Sequence, residues 1–269
     1  MDTEIFNFYL FIFLFCHVVG DYYFQTEKLA GEKENNYRKT GIHCILYAVP
    51  FLIFLIVYLL FPTLFHIPSP SNSEIFAVIL AIAGIIISHA VIDLVKCRWI
   101  KNTAEFKIER QRNAYITDQV LHLIVILVAA AWLFVETTSD AAEIIISSAD
   151  LYMGFKIVLF AAIILKPANI SFKKIFSKYQ PLKNESQNDE TDKTTIAGAG
   201  ATIGSLERLL MGFFMIINQF AAVGLIMTAK SIARYDKISK DPSFAEYYLI
   251  GTLYSILITL VAYLLIFRL

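Results

Sequence analysis

IFNFYLFIFLFCHVVGDYYFQ, residues 5–25, is the stretch on which the fold turns. Its first half is apolar and aromatic, yet it closes with His17, Asp21 and Gln25 at four-residue intervals. On a helix such residues stack on one face, about one turn apart. Imidazole and carboxylate groups at membrane depth are costly, so they mark a functional site or an internally paired network. The stretch therefore predicts a membrane helix with chemistry at one end.

The rest of the chain agrees. Of 269 residues, 57% are hydrophobic and only 17% are charged, with mean hydropathy +0.61. Soluble domains average nearer about 25% charged. A formal net charge of zero gives no electrostatic basis for nucleic-acid binding. Three cysteines, Cys16, Cys44 and Cys97, form neither a CxxC nor an even framework, and read as small packing residues kept reduced. The start, MDTE, is acidic and lacks Lys and Arg, and no small-residue cleavage site follows the apolar run. The first segment is thus expected to be a retained helix rather than a cleaved signal.

Crossing a bilayer takes roughly 17–25 apolar residues. Such runs lie at 4–24, 42–61, 75–97, 115–135, 151–166, 206–229 and 245–267, the fifth being the shortest and carrying Lys156. The expected fold is an all-α polytopic membrane bundle of six or seven transmembrane helices. Residues 1–170 form a front bundle, 171–200 a polar and then Gly-rich linker, and 201–269 a two-helix back module. Loop one (Lys28, Lys33, Arg38, Lys39) and loop three (Lys96, Arg98, Lys101, Lys107, Arg110, Arg112) are basic, whereas FPTLFHIPSPSNSE (61–74) and ETTSDAAE (136–143) are not. The positive-inside rule then puts the N-terminus outside and loops one and three in the cytoplasm. Lys173, Lys174, Lys178 and Lys183 also belong inside, but a crossing at 206–229 would place Lys230, Arg234, Lys237 and Lys240 outside, against that rule. GAGATIG (198–204) has the wrong spacing for a phosphate-binding glycine loop and follows no strand.

This topology gathers four of the five histidines at one level. His17 and Asp21 end helix one, and His43 opens helix two. His89 and Asp93 end helix three, and Asp118, Gln119 and His122 open helix four. CHVVGDYYFQ followed by GIHCILYAVPF echoes SHAVIDLVKC followed by TDQVLHLIVIL, which predicts a duplicated helical hairpin around a pseudo-twofold axis. His66 stands alone in the Pro-rich second loop and reads as a surface residue.

Imidazole and carboxylate at i, i+4 reach a common cation and suit zinc, iron, manganese or nickel better than calcium or magnesium. His17, Asp21, His43, His89, Asp93 and His122 are the expected ligands of a divalent transition metal, zinc first, in a one- or two-ion site. Asp118 is a ligand or general base. Gln25, Lys96, Gln119 and Arg208 are expected to orient the ligands, with Tyr115 nearby and Lys96 either pairing with Asp93 or snorkelling to the surface. Glu207, with Arg208, lies at the same level by loop charge and is a second candidate for proton transfer. Arg208, Gln219 and Lys230, spaced by eleven residues, predict one polar face along a continuous helix, extended by Arg234. Lys230 and Arg234 read there as interfacial anchors.

The motifs HVVGDYYFQ, the lone His43, HAVIDLVK and DQVLH, in that order on paired helices, resemble an uncharacterised bacterial membrane family, domain of unknown function 3307. The resemblance covers about residues 5–135. IGSLERLLMGFFMIINQFAAVGLIMTAKSIARY followed by EYYLIGTLYS resembles an extension found in many members. It implies a multi-pass protein of the bacterial inner membrane and supplies no reaction. The expected partners are the lipid bilayer and either a second copy or a membrane protein, not nucleic acid. Three functions stay open at this point: a metal-dependent hydrolase of a membrane or lipid-linked substrate, an ion- or proton-coupled transporter, and a non-catalytic membrane scaffold. A metal-free hydrogen-bonded network is the alternative to a metal site for the cluster itself.

Overall fold

The computed structural model describes residues 2–33, 36–60, 70–101, 107–136, 149–180 and 198–268. His66, the loop at 137–148 and residues 181–197 of the expected linker lie outside the described residues. The described residues are helical, with no strand among them. Helix α1 (Asp2–Val18) passes into a π-helical turn (Val19–Tyr23), followed by α2 (Glu27–Lys33), α3 (Tyr37–Leu60), α4 (Asn72–Lys101), α5 (Lys107–Glu136) and α6 (Ala149–Ile164). Then come α7 (Lys166–Ile175), a 3-10 turn (Ser177–Tyr179), α8 (Ala199–Ile216), α9 (Phe220–Ala233), α10 (Tyr235–Lys240) and α11 (Pro242–Phe267). Hydrocarbon offers no partner for backbone N–H and C=O, so the apolar runs satisfy them internally as helices. Seven helical segments are long and apolar enough to cross a membrane, and the protein is an all-α, multi-pass helical bundle.

The chain forms two compact units, Met1–Leu159 and Phe160–Leu269. In the first, α1 packs on α3 and α5, and α4 packs on α3 and α5, so the four long helices close a ring. Their shared core is apolar and aromatic, with Phe13 and Phe51 fully buried among Phe8, Phe54, Ile85 and Ile126. Of the spanning segments α1 is the most enclosed, whereas α3, α4 and α5 present Ile45, Ile53, Ile87, Val95 and Val128 outward, as lipid-facing helices do. The His/Asp residues lie below this core, toward the π turn and the start of α5. Asp118 stands eleven residues after Lys107, about 16 Å along the axis, where the polar start of α5 gives way to its apolar run.

The second unit corrects two expectations. Residues 206–229 are not one crossing: α8 stops at Ile216, and Asn218 adopts φ 59°. The Asn218 N–H donates to Met215 O at 3.0 Å and the Gln219 N–H to Phe214 O at 2.7 Å. This is a Schellman cap with Asn in the left-handed position. The chain then doubles back, and Lys230 on α9 meets Glu207 on α8 at 2.6 Å. The predicted single polar face through Arg208, Gln219 and Lys230 therefore does not exist. Gln219 is exposed at the turn, and Lys230 returns to the level of Arg208 by reversal, not by periodicity. The same reversal removes the charge conflict. Lys230 and Arg234 line one cavity with Lys173, so these basic residues collect at one end of the unit. At the other end the Arg268 Nη2 donates to Asn218 Oδ1 at 2.7 Å, tying the turn to the end of α11.

Candidate metal centre

Among the described residues, three convergent groups of ligand-type atoms form within the first unit, each with its atoms within 4.8 Å of one another. They are Asp21, His43 and His89; Asp93, Asp118 and His122; and Cys44, His89 and Asp93. The first two draw on all four helices of the ring, and His89 with Asp93 joins them. His43 is fully buried, and Asp21, His89, Asp93, Asp118 and His122 are each below 9% exposed.

His43 Nε2 is the hub. It lies 3.2 Å from Asp21 Oδ1, 3.3 Å from Asp93 Oδ2 and 3.2 Å from His89 Nε2. His89 Nε2 lies 3.7 Å from Asp93 Oδ2. One ring nitrogen carries one proton or one lone pair, so it cannot serve three such neighbours by hydrogen bonding alone. N–H···O bonds cluster near about 2.9–3.0 Å, shorter than these separations. Two ligand atoms each about 2.1 Å from a tetrahedral ion lie about 3.4 Å apart, which matches them. Protonation states point the same way. His122 Nδ1 faces the Asp118 carbonyl at 2.6 Å, and a carbonyl only accepts, so Nδ1 carries the proton. Its Nε2, buried and without a hydrogen-bond partner, is a bare lone pair in the neutral ring. The Nδ1 atoms of His43 and His89 are likewise buried and unbonded.

Charge adds a second constraint. Asp21, Asp93 and Asp118 are three buried carboxylates, and Lys96 is bonded to Asp118. Lys96 Nζ donates to Asp118 Oδ2 at 2.8 Å across α4 and α5, so its ammonium stays with the cluster instead of snorkelling to the surface. A divalent cation, protonated imidazoles or protonated carboxyls would each offset charge gathered in this way. The donor set fits a transition metal.

Around this core, Gln119 Nε2 donates to Asp21 Oδ2 at 3.0 Å and to Asp118 Oδ2 at 3.2 Å, bridging the two acid groups. Tyr115 and Tyr22 share a 2.8 Å hydroxyl contact. Gln25 is half-buried just beyond the π turn. His17 falls outside the three groups. Its Nδ1 faces the Tyr47 hydroxyl at 3.2 Å, and its ring stacks on His122 with centroids 5.3 Å apart. His89–Asp93 and Asp118–His122 are paired at i, i+4, each at 3.7 Å. His17 and Asp21 have the same spacing, but the π turn begins between them and re-aims Asp21 toward His43. Gly20 permits this, because a Cβ there would meet Tyr47 O at 2.9 Å.

Two participants escaped the sequence reading. Tyr47 lies flat on His89, with centroids 3.5 Å and planes 2° apart. Its spacing from His43, one turn along α3, was the available signal. Cys44, taken as a packing residue, reaches His89 and Asp93. Glu207 and Arg208 belong to the second unit, where Glu207 pairs with Lys230 and Arg208 bonds to oxygens of Ile164, Leu165, Asn169 and Ser205.

Fold and site together define a multi-pass membrane protein with a buried cluster of imidazoles and carboxylates. The family model described as a protein of unknown function (DUF3307) matches residues 9–153, more than half of the chain. The chain belongs to that family. Every residue of the three convergent groups falls within the match, whereas Glu207 and Arg208 fall outside it. No curated protein and no solved structure matches the chain.

Proposed function

We propose that this protein is a membrane metalloenzyme whose His/Asp centre holds one or two divalent transition-metal ions, zinc first, and hydrolyses a membrane or lipid-linked substrate. The observation that carries this is the hub at His43 Nε2, where oxygen and nitrogen atoms stand 3.2–3.3 Å away, at the spacing of a coordination polyhedron. Asp21, His43 and His89 form one half of the centre, and Asp93, Asp118 and His122 the other. Cys44 stands at their junction. Asp118 Oδ2 is engaged by Lys96, which leaves Oδ1 as its ligand atom and favours a ligand role over that of general base. His17, Gln119 and Lys96 hold the ligands in place. A metal ion bound there would activate water for attack on an ester or phosphoester. Glu207 and Arg208 are assigned to the second unit's own chemistry.

Depth favours an enzyme over a transporter. Transporter sites commonly lie near the bilayer midplane, with access from both sides. Here Asp21 is two residues from exposed Tyr23, and the core on the far side is packed with Phe13, Phe51, Ile126 and Leu133. We infer that the N-terminus lies outside and that the centre faces the cytoplasm of a bacterial inner membrane, from the Lys and Arg of loops one and three. Elemental analysis of the detergent-purified protein is the direct test, with about one or two transition-metal ions per chain expected. Absence of any stoichiometric metal, with His89→Ala changing neither metal content nor activity, would refute the proposal. pH-dependent cation flux in proteoliposomes would favour the transporter instead.

A further inference from the structure

The second unit carries its own cavity, about 340 Å3, between α8, α11 and the end of α7. Lys173, Arg208, Lys230 and Arg234 line it against one carboxylate, Glu207. Glu207 is already engaged by Lys230 at 2.6 Å. Arg208 is only 3% exposed, yet among the described residues all its hydrogen bonds go to neutral oxygens, including Asn169 Oδ1 at 2.7 Å. A buried guanidinium without a bonded carboxylate calls for a counter-charge. The Tyr248 hydroxyl, also in this cavity, is buried and has no hydrogen-bond partner. The N-terminal turn of α8 adds a positive helix end to the same space. Gly204 keeps the helix surface clear for the guanidinium, since a Cβ there would sit 3.2 Å from Arg208 Nη1.

We propose that this cavity binds the phosphate headgroup of an anionic phospholipid. Cations and a free hydroxyl suit phosphate oxygens. A lipid is favoured over a soluble ion because α8 and α11 are both membrane-spanning candidates and the cavity at their ends is walled largely by aromatic and aliphatic side chains, an interfacial position. The site lies within the second unit and does not depend on the metal reading.

Native mass spectrometry of the full chain in detergent, titrated with phosphatidylglycerol or phosphatidylcholine of equal chain length, tests it. Preferential retention of phosphatidylglycerol is expected. Lys173 and Arg234 are exposed, so Lys173→Gln/Arg234→Gln should leave the fold intact and weaken retention roughly tenfold or more. Lys178→Gln/Lys240→Gln removes the same charge away from the cavity and should leave retention unchanged. Equal retention of both lipids, or equal losses in the two double variants, would overturn the proposal. So would inorganic phosphate displacing the lipid with matching affinity, which would mark a free-anion site. Metal content is measured on the same samples, so loss of the metal and loss of the lipid preference are read separately.

Discussion

The two units bury charge of opposite sign. Among the described residues of the first, the carboxylates of Asp21, Asp93 and Asp118 gather near Lys96, and nitrogen and oxygen atoms crowd at 3.2–3.7 Å around His43 and His89. In the second, four cations face one carboxylate, and the arginine leans on neutral oxygens. A bilayer tolerates neither arrangement uncompensated. The contrast teaches that the sign of the imbalance, more than the mere presence of polar residues, guides what is proposed for each unit: a cation for the first and an anion for the second.

The sharpest way to break that contrast is to remove a shared ligand. Asp93 belongs to two of the three convergent groups and touches His43 Nε2. Asp93→Asn should reduce metal affinity beyond the roughly 10–100-fold seen for outer partners of a ligand. Elemental analysis reads the loss, and lipid retention by the second unit should not change. Chelation should act likewise, raising amide hydrogen exchange at residues 16–25, 41–47, 88–97 and 115–122. Unaltered exchange there after chelation would mean that the cluster is a metal-free network.

Next in size is the ammonium that offsets Asp118. Lys96→Met leaves a buried carboxylate without its cation, and stripping one partner from a buried pair costs about 3–5 kcal/mol. The thermal midpoint should drop accordingly, and Lys96→Met/Asp118→Leu should recover much of it. A Lys96→Met protein as stable as wild type would show that the carboxylate is neutralised from elsewhere.

Much of this was legible in the residues themselves. Hydropathy located the spans, and the spacing of His89–Asp93 and Asp118–His122 anticipated pairs that meet, because both sit on regular helix. His17 and Asp21 share the spacing but not the outcome, since the π turn that parts them leaves no signature in VVGDYY beyond a glycine. The turn at Asn218 was hidden for a related reason. IINQF contains neither Gly nor Pro, and only the left-handed backbone at Asn218 shows that the run reverses. Tyr47 could be picked out only by its one-turn spacing from His43, and Cys44 depends on how α3 faces α4, which no local pattern records.

Gly20 tests the π turn at a smaller scale. Gly20→Ala would push a methyl against the Tyr47 backbone, and overpacking of this kind costs roughly 1–3 kcal/mol. Because Tyr47 underlies His89, metal affinity should fall together with stability. An alanine variant with an unchanged melting midpoint and full metal content would sever the link between the turn and the centre.

The smallest effect lies outside both buried sites, at the start of α11. Asp241 caps that helix, accepting the Phe244 N–H at 3.0 Å and the Ser243 hydroxyl at 2.9 Å. These bonds favour the charged carboxylate and hold its pKa below the ordinary Asp value, the Phe244 N–H contributing most. A carboxyl whose pKa is lower folded than unfolded stabilises the fold above the unfolded value, and that contribution fades as pH falls through the folded one. Asp241→Ala should therefore lower the melting midpoint slightly at neutral pH and converge on wild type in acid, because the wild-type cap is by then protonated. An offset that persists unchanged below the carboxylate range would assign the loss to helix propensity instead of the charged cap.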